Sequence, residues 1–153
     1  MSTPATAPVP TPVNGRLLGL AHYASRTLLE VELAPVGLGF YHTVALRNVA
    51  DNGGTAERDS LVGRLLDTVR ILDEATARQT VDELTATQAL VTPAPGRLGL
   101  TDRGRALHEH AQAEGLRIAA RLYADIPRAE LETAGRVLSL VLERANAELA
   151  TAV

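Results

Sequence analysis

From Val13 to Leu149, apolar residues recur mostly three and four positions apart, the spacing that lines one face of a helix. The first stripe holds Leu17, Leu20, Ala21, Ala24, Leu28 and Val31. Leu18 and Leu29 widen it beyond what one neighbouring helix covers. Asn14 is placed to cap this helix, and Pro35 with Gly37 to end it. A second helix is predicted from about Leu38 to Ala50, with Phe40, Val44 and Val49 among its apolar positions. Asp51, Asn52, Gly53 and Gly54 then signal a turn. Thr55 is a candidate cap for a third helix carrying Leu61, Val62, Leu65, Leu66 and Val69. Asp73 is the candidate cap for a fourth, with Ala77, Val81 and Leu84 on one face.

The pattern then changes. Ala89-Leu90-Val91-Thr92 and Leu98-Gly99-Leu100 are short β-capable runs, and Pro93 to Arg97 between them reads as a tight turn. Thr101 is placed to cap a helix over 102–124 with Leu107, Ala111, Ile118 and Leu122. Asp125-Ile126-Pro127 breaks it, and Pro127 suits the first position of a last helix. That helix carries Leu131, Ala134, Leu138, Val141, Leu142, Ala145 and Leu149. The expected order is α-α-α-α-β-β-α-α, mainly α with a small β-hairpin and no internal repeat. Pro4, Pro8, Pro10 and Pro12 make residues 1–12 an extended, disordered tail, whether a reaching arm or simply an untethered terminus.

Composition narrows the chemistry. A chain of 153 residues is one domain's worth, and 46% hydrophobic with 22% charged residues is ordinary globular composition. With only 3% aromatics, the core has to be built from Leu, Val and Ala, which favours helices over a β-sandwich. The absence of cysteine excludes disulfides, Cys-ligated metals and thiol catalysis. All 15 basic residues are arginine, so a Schiff-base lysine and a P-loop lysine are excluded as well. The formal charge of −3 does not by itself point to nucleic acid. No apolar run approaches the ~18 residues of a membrane span, and no signal peptide is visible, so a soluble cytoplasmic protein is expected.

Over residues 13–150 the sequence resembles the MarR family of winged helix-turn-helix transcriptional regulators. The carriers are the first helix GRLLGLAHYASRTLLEVEL, the second helix GFYHTVALRNVADNG, and the segment DEATARQTVDELTATQALV. The run LGLTDRGRAL matches the family's strand, Leu-Thr-x-x-Gly and helix step, with Gly104 as its glycine. The final PRAELETAGRVLSLVLERANAEL resembles a dimerisation helix. The resemblance implies a single domain over 13–153, with a winged helix-turn-helix over 38–100 and dimerisation helices over 13–34 and 102–150. It also implies a triangular homodimer whose terminal helices interleave. Broad apolar stripes at both ends agree with a partner surface. The alternative is a monomer whose terminal helices cover the central domain.

By the same resemblance, the recognition helix is about Asp73–Gln88, with Glu74, Ala75, Thr76, Arg78, Gln79 and Asp82 facing outward. Arg78 suits guanine and Gln79 adenine, and Thr76 and Thr80 suit phosphate or methyl contacts. Asp73, Glu74, Asp82 and Glu83 stand there against Arg78 alone, a net of −3 where phosphate neutralisation wants positive charge. The family's Asp-x-Arg wing signature is missing, leaving Arg97 as the wing candidate and Arg103 and Arg105 as backbone candidates. Arg58, Arg64 and Arg70 are further arginines that could offset the acids.

Small-molecule chemistry concentrates elsewhere. His22, Tyr23 and Arg26 lie on the first helix, and Phe40, Tyr41, His42 and Arg47 on the second. Three of the chain's aromatic residues thus fall where the family's effector cleft is implied, with an arginine or histidine to hold a carboxylate or phenolate. The other reading of these residues is core packing. His108 and His110 are two apart and point away from each other, so no metal site is expected. Ser25, Ser60 and Ser139 lack nucleophile-elbow context, Glu109 and Glu114 read as a solvated face, and no cofactor is implied. The resulting expectation is a homodimeric regulator that binds double-stranded DNA and a small hydrophobic or aromatic effector. The alternative is a protein of the same fold that has lost DNA binding and binds or transforms a hydrophobic small molecule in its cleft.

Overall fold

A computed structural model describes residues 11–70 and 72–152, so the tail expected over 1–12 lies outside them except for its last two positions. The elements in chain order are α1 (Gly15–Leu33), a 3-10 turn (Ala34–Val36), α2 (Phe40–Asp51), β1 (Thr55–Glu57), α3 (Arg58–Thr68) and α4 (Glu74–Ala86). They continue with β2 (Leu90–Ala94), β3 (Arg97–Leu100), α5 (Asp102–Leu122) and α6 (Arg128–Thr151). The chain divides after Ile118 into two compact units.

In the first unit the helix caps are those the side chains dictate. Asn14 accepts a hydrogen bond from the Leu17 amide at 3.0 Å, and Asp73 accepts one from the Thr76 amide at 2.9 Å. Ala77, Val81 and Leu84, spaced four and three apart on α4, are at most 1% exposed and face Leu61 and Leu65 of α3, both at 0%. Leu46 and Val49 of α2, Leu90 of β2 and Leu98 of β3 complete this core, with Leu33 from the end of α1. Each such leucine, fully withdrawn from water, contributes roughly 1.5–3 kcal/mol before conformational entropy is set against it. The core is aliphatic, as the composition requires.

Two expectations are corrected. Thr55 does not cap α3; with Ala56 and Glu57 it forms β1, and α3 begins at Arg58. Gly53 and Gly54, at φ 74° and 84°, turn the chain so that Thr55 pairs with Gly99 and Glu57 with Arg97. The Leu100 amide donates to Gly54 O and the Arg58 amide to Gly96 O, both at 2.8 Å, which ties this strand to a hairpin some forty residues later. The result is a three-stranded antiparallel sheet ordered β1-β3-β2. The second correction is the hairpin turn, which shrinks to Pro95-Gly96, because β2 runs to Ala94 and β3 starts at Arg97. Pro93 lacks an amide hydrogen, and the ladder is irregular between Val91 and Ala94.

Beyond the sheet, Thr101 joins three elements. Its Oγ1 donates toward Gln88 O (2.6 Å) and Ala89 O (3.0 Å) and accepts from the Gly104 amide (2.9 Å). Gly104 is buried, and a Cβ placed there would collide with the Ala89 carbonyl oxygen and sit 2.8 Å from Leu100 Cδ1. The glycine of the Leu-Thr-x-x-Gly step is therefore required by close approach of α5 to the end of α4, with no positive φ involved. Glu109 is exposed, but Glu114 is not on a solvated face: it is 9% exposed and pairs with Arg117 at 2.6 Å.

The helices at the two ends differ from the core. In α1 only Leu33 is buried, while Leu17, Leu20, Leu28 and Val31 are exposed. In α6 no residue is buried, and Val137, Leu138, Val141 and Leu142 are 40–62% exposed. Among the described residues no helix is long and apolar enough to cross a membrane.

Gly104→Ala is expected to cost about 3 kcal/mol or more, since the obstacle is backbone and not a flexible side-chain end. Urea unfolding of the variant against wild type measures it; a loss under about 1 kcal/mol would mean that α5 can move away at little cost.

Candidate nucleic-acid interface and effector cavity

The α3–turn–α4 unit followed by the β2–β3 hairpin places one helix, α4, with an outward face at its N-terminal half. Burying Ala77, Thr80, Val81 and Leu84 leaves Glu74, Ala75, Arg78, Gln79, Asp82 and Glu83 exposed. Thr80 thereby leaves the set of DNA-contact candidates. It is 4% exposed, and its hydroxyl donates back to Thr76 O at 2.9 Å. Thr76 is half-buried and its hydroxyl donates to Asp73 at 2.8 Å. Asp73 is held below the usual carboxylate range by Thr76, first through the amide and then through the hydroxyl.

The remaining polar groups on this face are internally paired. Arg78 contacts Glu74 through Nε at 2.9 Å and through a terminal nitrogen at 2.8 Å, and it reaches Asp59 of α3 at 3.2 Å. Glu74, then Asp59, keep its guanidinium more firmly protonated than usual. Gln79 donates its amide to Glu83 at 2.8 Å. Arg58 of α3 pairs with Asp82 of α4. At the hairpin, Arg97 is exposed and lies 3.9 Å from Glu57, while Arg105 pairs with Asp102 at 2.7 Å. Arg103 is exposed and lacks an ion-pair partner among the described residues. Arg64 is half-buried, and its Nε is buried without an acceptor. The sequence does not reveal Asp59 as a partner of Arg78, because nothing local links positions nineteen residues apart.

The predicted effector residues fall into three places. The first is a cationic–aromatic cluster on α1 and α2. Arg26 Cζ lies 4.6 Å from the Phe40 ring centroid and 4.8 Å from that of Tyr41. His22 meets Phe40 edge-on at 5.9 Å and Tyr23 at 5.6 Å. Glu30 closes the cluster by accepting from Arg26 at 3.1 Å and from the Phe40 amide at 3.3 Å. Burial acts to lower the Arg26 pKa, but Tyr41 and Glu30 outweigh it and the net shift is upward. Arg26 is thus already engaged, and His22 and Tyr23 are exposed.

The second place belongs to His42. Its Nδ1 accepts from the Gly39 amide at 2.8 Å, which leaves the ring proton on Nε2, 2.8 Å from Glu83 Oε2. His42 therefore fastens the start of α2 to α4. Both residues line a cavity of ≈ 400 Å³ with Val36, Leu38, Leu84, Arg103 and Leu107. Gln79 first, and His42 second, hold the Glu83 carboxyl below its usual range.

The third place holds Arg47, in a cavity of ≈ 370 Å³ between α1, α2 and α5, lined also by Leu29, Thr43, His108, Ala111, Gln112 and Leu116. Arg47, His108 and Gln112 have no hydrogen-bond or ion-pair partner among the described residues, and no carboxylate lines the cavity. His108 and Gln112 are four apart on one face of α5, a relation visible in the sequence. Their meeting with Arg47 is visible only in the fold. Among the described residues no group of three or more His, Asp or Glu gathers to hold a metal ion.

Glu83 gives up its proton more readily in the folded chain than in the unfolded one. Its pairing therefore adds stability above the ordinary carboxylate range, and that gain fades as pH falls through the lowered value. Glu83→Gln is expected to melt ~1–3 °C below wild type at neutral pH, a small gap because the side chain is about half exposed, and the gap should close on acidification. Thermal melts at stepped pH check this; a constant gap down to the most acid condition would remove the carboxylate from the account.

No family model matches the sequence, and no curated protein matches it. Solved structures do match. A MarR family protein of Mycobacterium tuberculosis in complex with DNA superposes with a TM-score of 0.67 at 23% identity, covering 86% of this chain and 98% of that one. A structure of the M. tuberculosis protein with salicylic acid gives 0.62 at 24%, covering 83% and 96%. The reduced form of MarR from E. coli gives 0.69 at 19%, covering 87% and 96%. The chain therefore has the winged-helix fold of the MarR-family transcriptional regulators.

Proposed function

We propose that this chain is a ligand-responsive, DNA-binding transcriptional regulator that works as a cytoplasmic homodimer. The observation that carries this reading is the N-capped α4, whose buried face locks it to α3 while Ala75, Arg78 and Gln79 stay outward beside the β2–β3 hairpin. A helix so mounted fits a major groove, where Arg78 would read guanine and Gln79 adenine. Arg97 is placed at the hairpin, and Arg103 at the start of α5, for the sugar–phosphate backbone. Support for an effector comes from the cavity holding Arg47, His108 and Gln112, three unpartnered donors among apolar walls. An effector acts by favouring one spacing of the two recognition helices over the ~34 Å that successive major grooves demand. It shifts DNA affinity only by the ratio of its affinities for the two states.

Gel shifts with DNA flanking the chain's own gene, at low and moderate salt, test the DNA half. Arg78→Ala should weaken the specific complex roughly 10- to 100-fold and relax preference at one base pair per half-site. Arg97→Ala should weaken all duplexes alike and reduce the salt slope by about one. If wild type binds neither its flanking DNA nor random duplex at low salt, with or without ligand, the reading fails. A second reading then takes its place: a chain of the same fold that has lost DNA binding and binds or transforms a hydrophobic molecule in its cleft. The observation favouring it is that Arg58, Arg78 and Arg97 all face carboxylates.

What supports the dimer is the exposure of leucines and valines on α1 and α6 in a single chain. Sedimentation at micromolar concentration should report twice 16.2 kDa, and Leu138→Arg with Val141→Arg should reduce it to one chain. A single-chain mass for wild type would overturn the dimer.

A further inference from the structure

The outward edge of α3 and α4 holds two reciprocal ion pairs. Consecutive residues of α3, Arg58 and Asp59, meet Asp82 and Arg78 of α4, which stand four apart on one face. Arg58 and Arg78, two of the arginines that would meet a phosphate or a base, are thus each held by an aspartate from the neighbouring helix, and Arg78 also by Glu74 of its own helix. Segments 57–59, 73–88 and 97–105 together contain seven carboxylates against five arginines. All four partners are at least partly exposed, with Asp59 at 84% and Asp82 at 64%. Pairs this wet add little to stability, and Leu61, Leu65, Val81 and Leu84 already hold the two helices together. Their effect is felt when a polyanion arrives.

We propose that Asp59 and Asp82 are specificity-determining residues. They occupy Arg78 and Arg58 as intramolecular substitutes for phosphate, so that only a duplex offering base contacts as well displaces them. The inference rests on the DNA-binding reading above. Phosphate neutralisation supplies nearly all non-specific affinity, so the exchange of carboxylate for phosphate taxes non-specific binding in full. A cognate site recovers the loss through the bidentate base contacts that random sequence does not offer. The aspartates thereby lower affinity for every duplex, so that at moderate salt only a site whose base contacts make up the loss stays bound.

The test compares wild type with the Asp59→Asn, Asp82→Asn double variant, as the full chain. The probes are a duplex from the region flanking its gene and a scrambled duplex of equal length, titrated by fluorescence anisotropy over a range of salt. The variant is expected to bind the scrambled duplex about 10-fold more tightly with a steeper salt slope, and to gain by a similar factor on the flanking duplex. In an Arg58→Gln, Arg78→Gln background the same two Asp→Asn changes should leave affinity for the scrambled duplex unchanged. Thermal melts of each variant confirm that folding is kept, as the exposure of both aspartates leads one to expect. Unchanged affinity for scrambled DNA, where wild type does bind DNA, overturns the proposal and leaves the regulator reading standing. A gain from the Asp→Asn changes that persists without the two arginines also overturns it, since the aspartates would then act only as bulk charge. If neither protein binds any duplex at low salt, both the proposal and the regulator reading fall.

Discussion

The close approach of Gly104 to the Ala89 carbonyl is the contact on which the arrangement of α4, the hairpin and α5 depends. Ala89 ends the turn after α4, Leu100 ends β3, and Gly104 lies in the first turn of α5, so one point joins α4, the hairpin and the long helix that follows. Thr101 closes the joint by donating to Gln88 O and Ala89 O while accepting from the Gly104 amide. The chain reaches it through Gln88, which holds φ at 61° and lets the Ala89 amide return to Leu84 O at 2.9 Å. A side chain larger than hydrogen at position 104 has nowhere to go but into backbone. The angle of α4 relative to the wing is set there, without help from the exposed charges.

That separation explains how the surface of α3 and α4 can be so thoroughly paired without being needed for the fold. The helices are held by aliphatic burial, which is non-directional and strong. The ion pairs lie in high dielectric, where they are worth little. Arginine as the sole basic residue adds a geometric bias, because each cation is a planar fork that can take a carboxylate with two nitrogens, as Arg78 takes Glu74. A surface of such forks among acids pairs with itself unless a better polyanion is offered.

The polar residues of α1 and α2 show a comparable division between groups already committed and groups still available. Arg26 is engaged by two rings and Glu30, and His42 by Gly39 and Glu83, so both act as struts between elements. Arg47, His108 and Gln112 keep their hydrogen-bonding capacity, in a cavity free of carboxylates. His42 also reaches α4 directly, which gives the start of α2 a short polar route to Gln79 through Glu83.

Much of this was legible in the chain itself. The period of the apolar residues placed the six helices, Asn14, Asp73 and Thr101 marked helix starts, and the excess of Leu and Ala with few aromatics foretold an aliphatic core. These are local matters, governed by repeat spacing and by side chains bonding backbone three residues away. The sequence also showed that α4 is acidic and that Arg78 is its only cation. What it did not contain was anything decided across the fold. β1 was read as a helix start because its pairing partner lies some forty residues on. Thr80 suits a DNA contact by residue type alone, but its phase on the helix is fixed by what the helix packs against. Glu114 was read as solvated for the same reason. The effector candidates looked like one group because they are close in sequence, yet α2 presents Phe40, His42 and Arg47 to three different neighbours. Tertiary structure alone decided which arginines are held by aspartates and which donors were left without partners, since both depend on distances between helices that no local rule encodes.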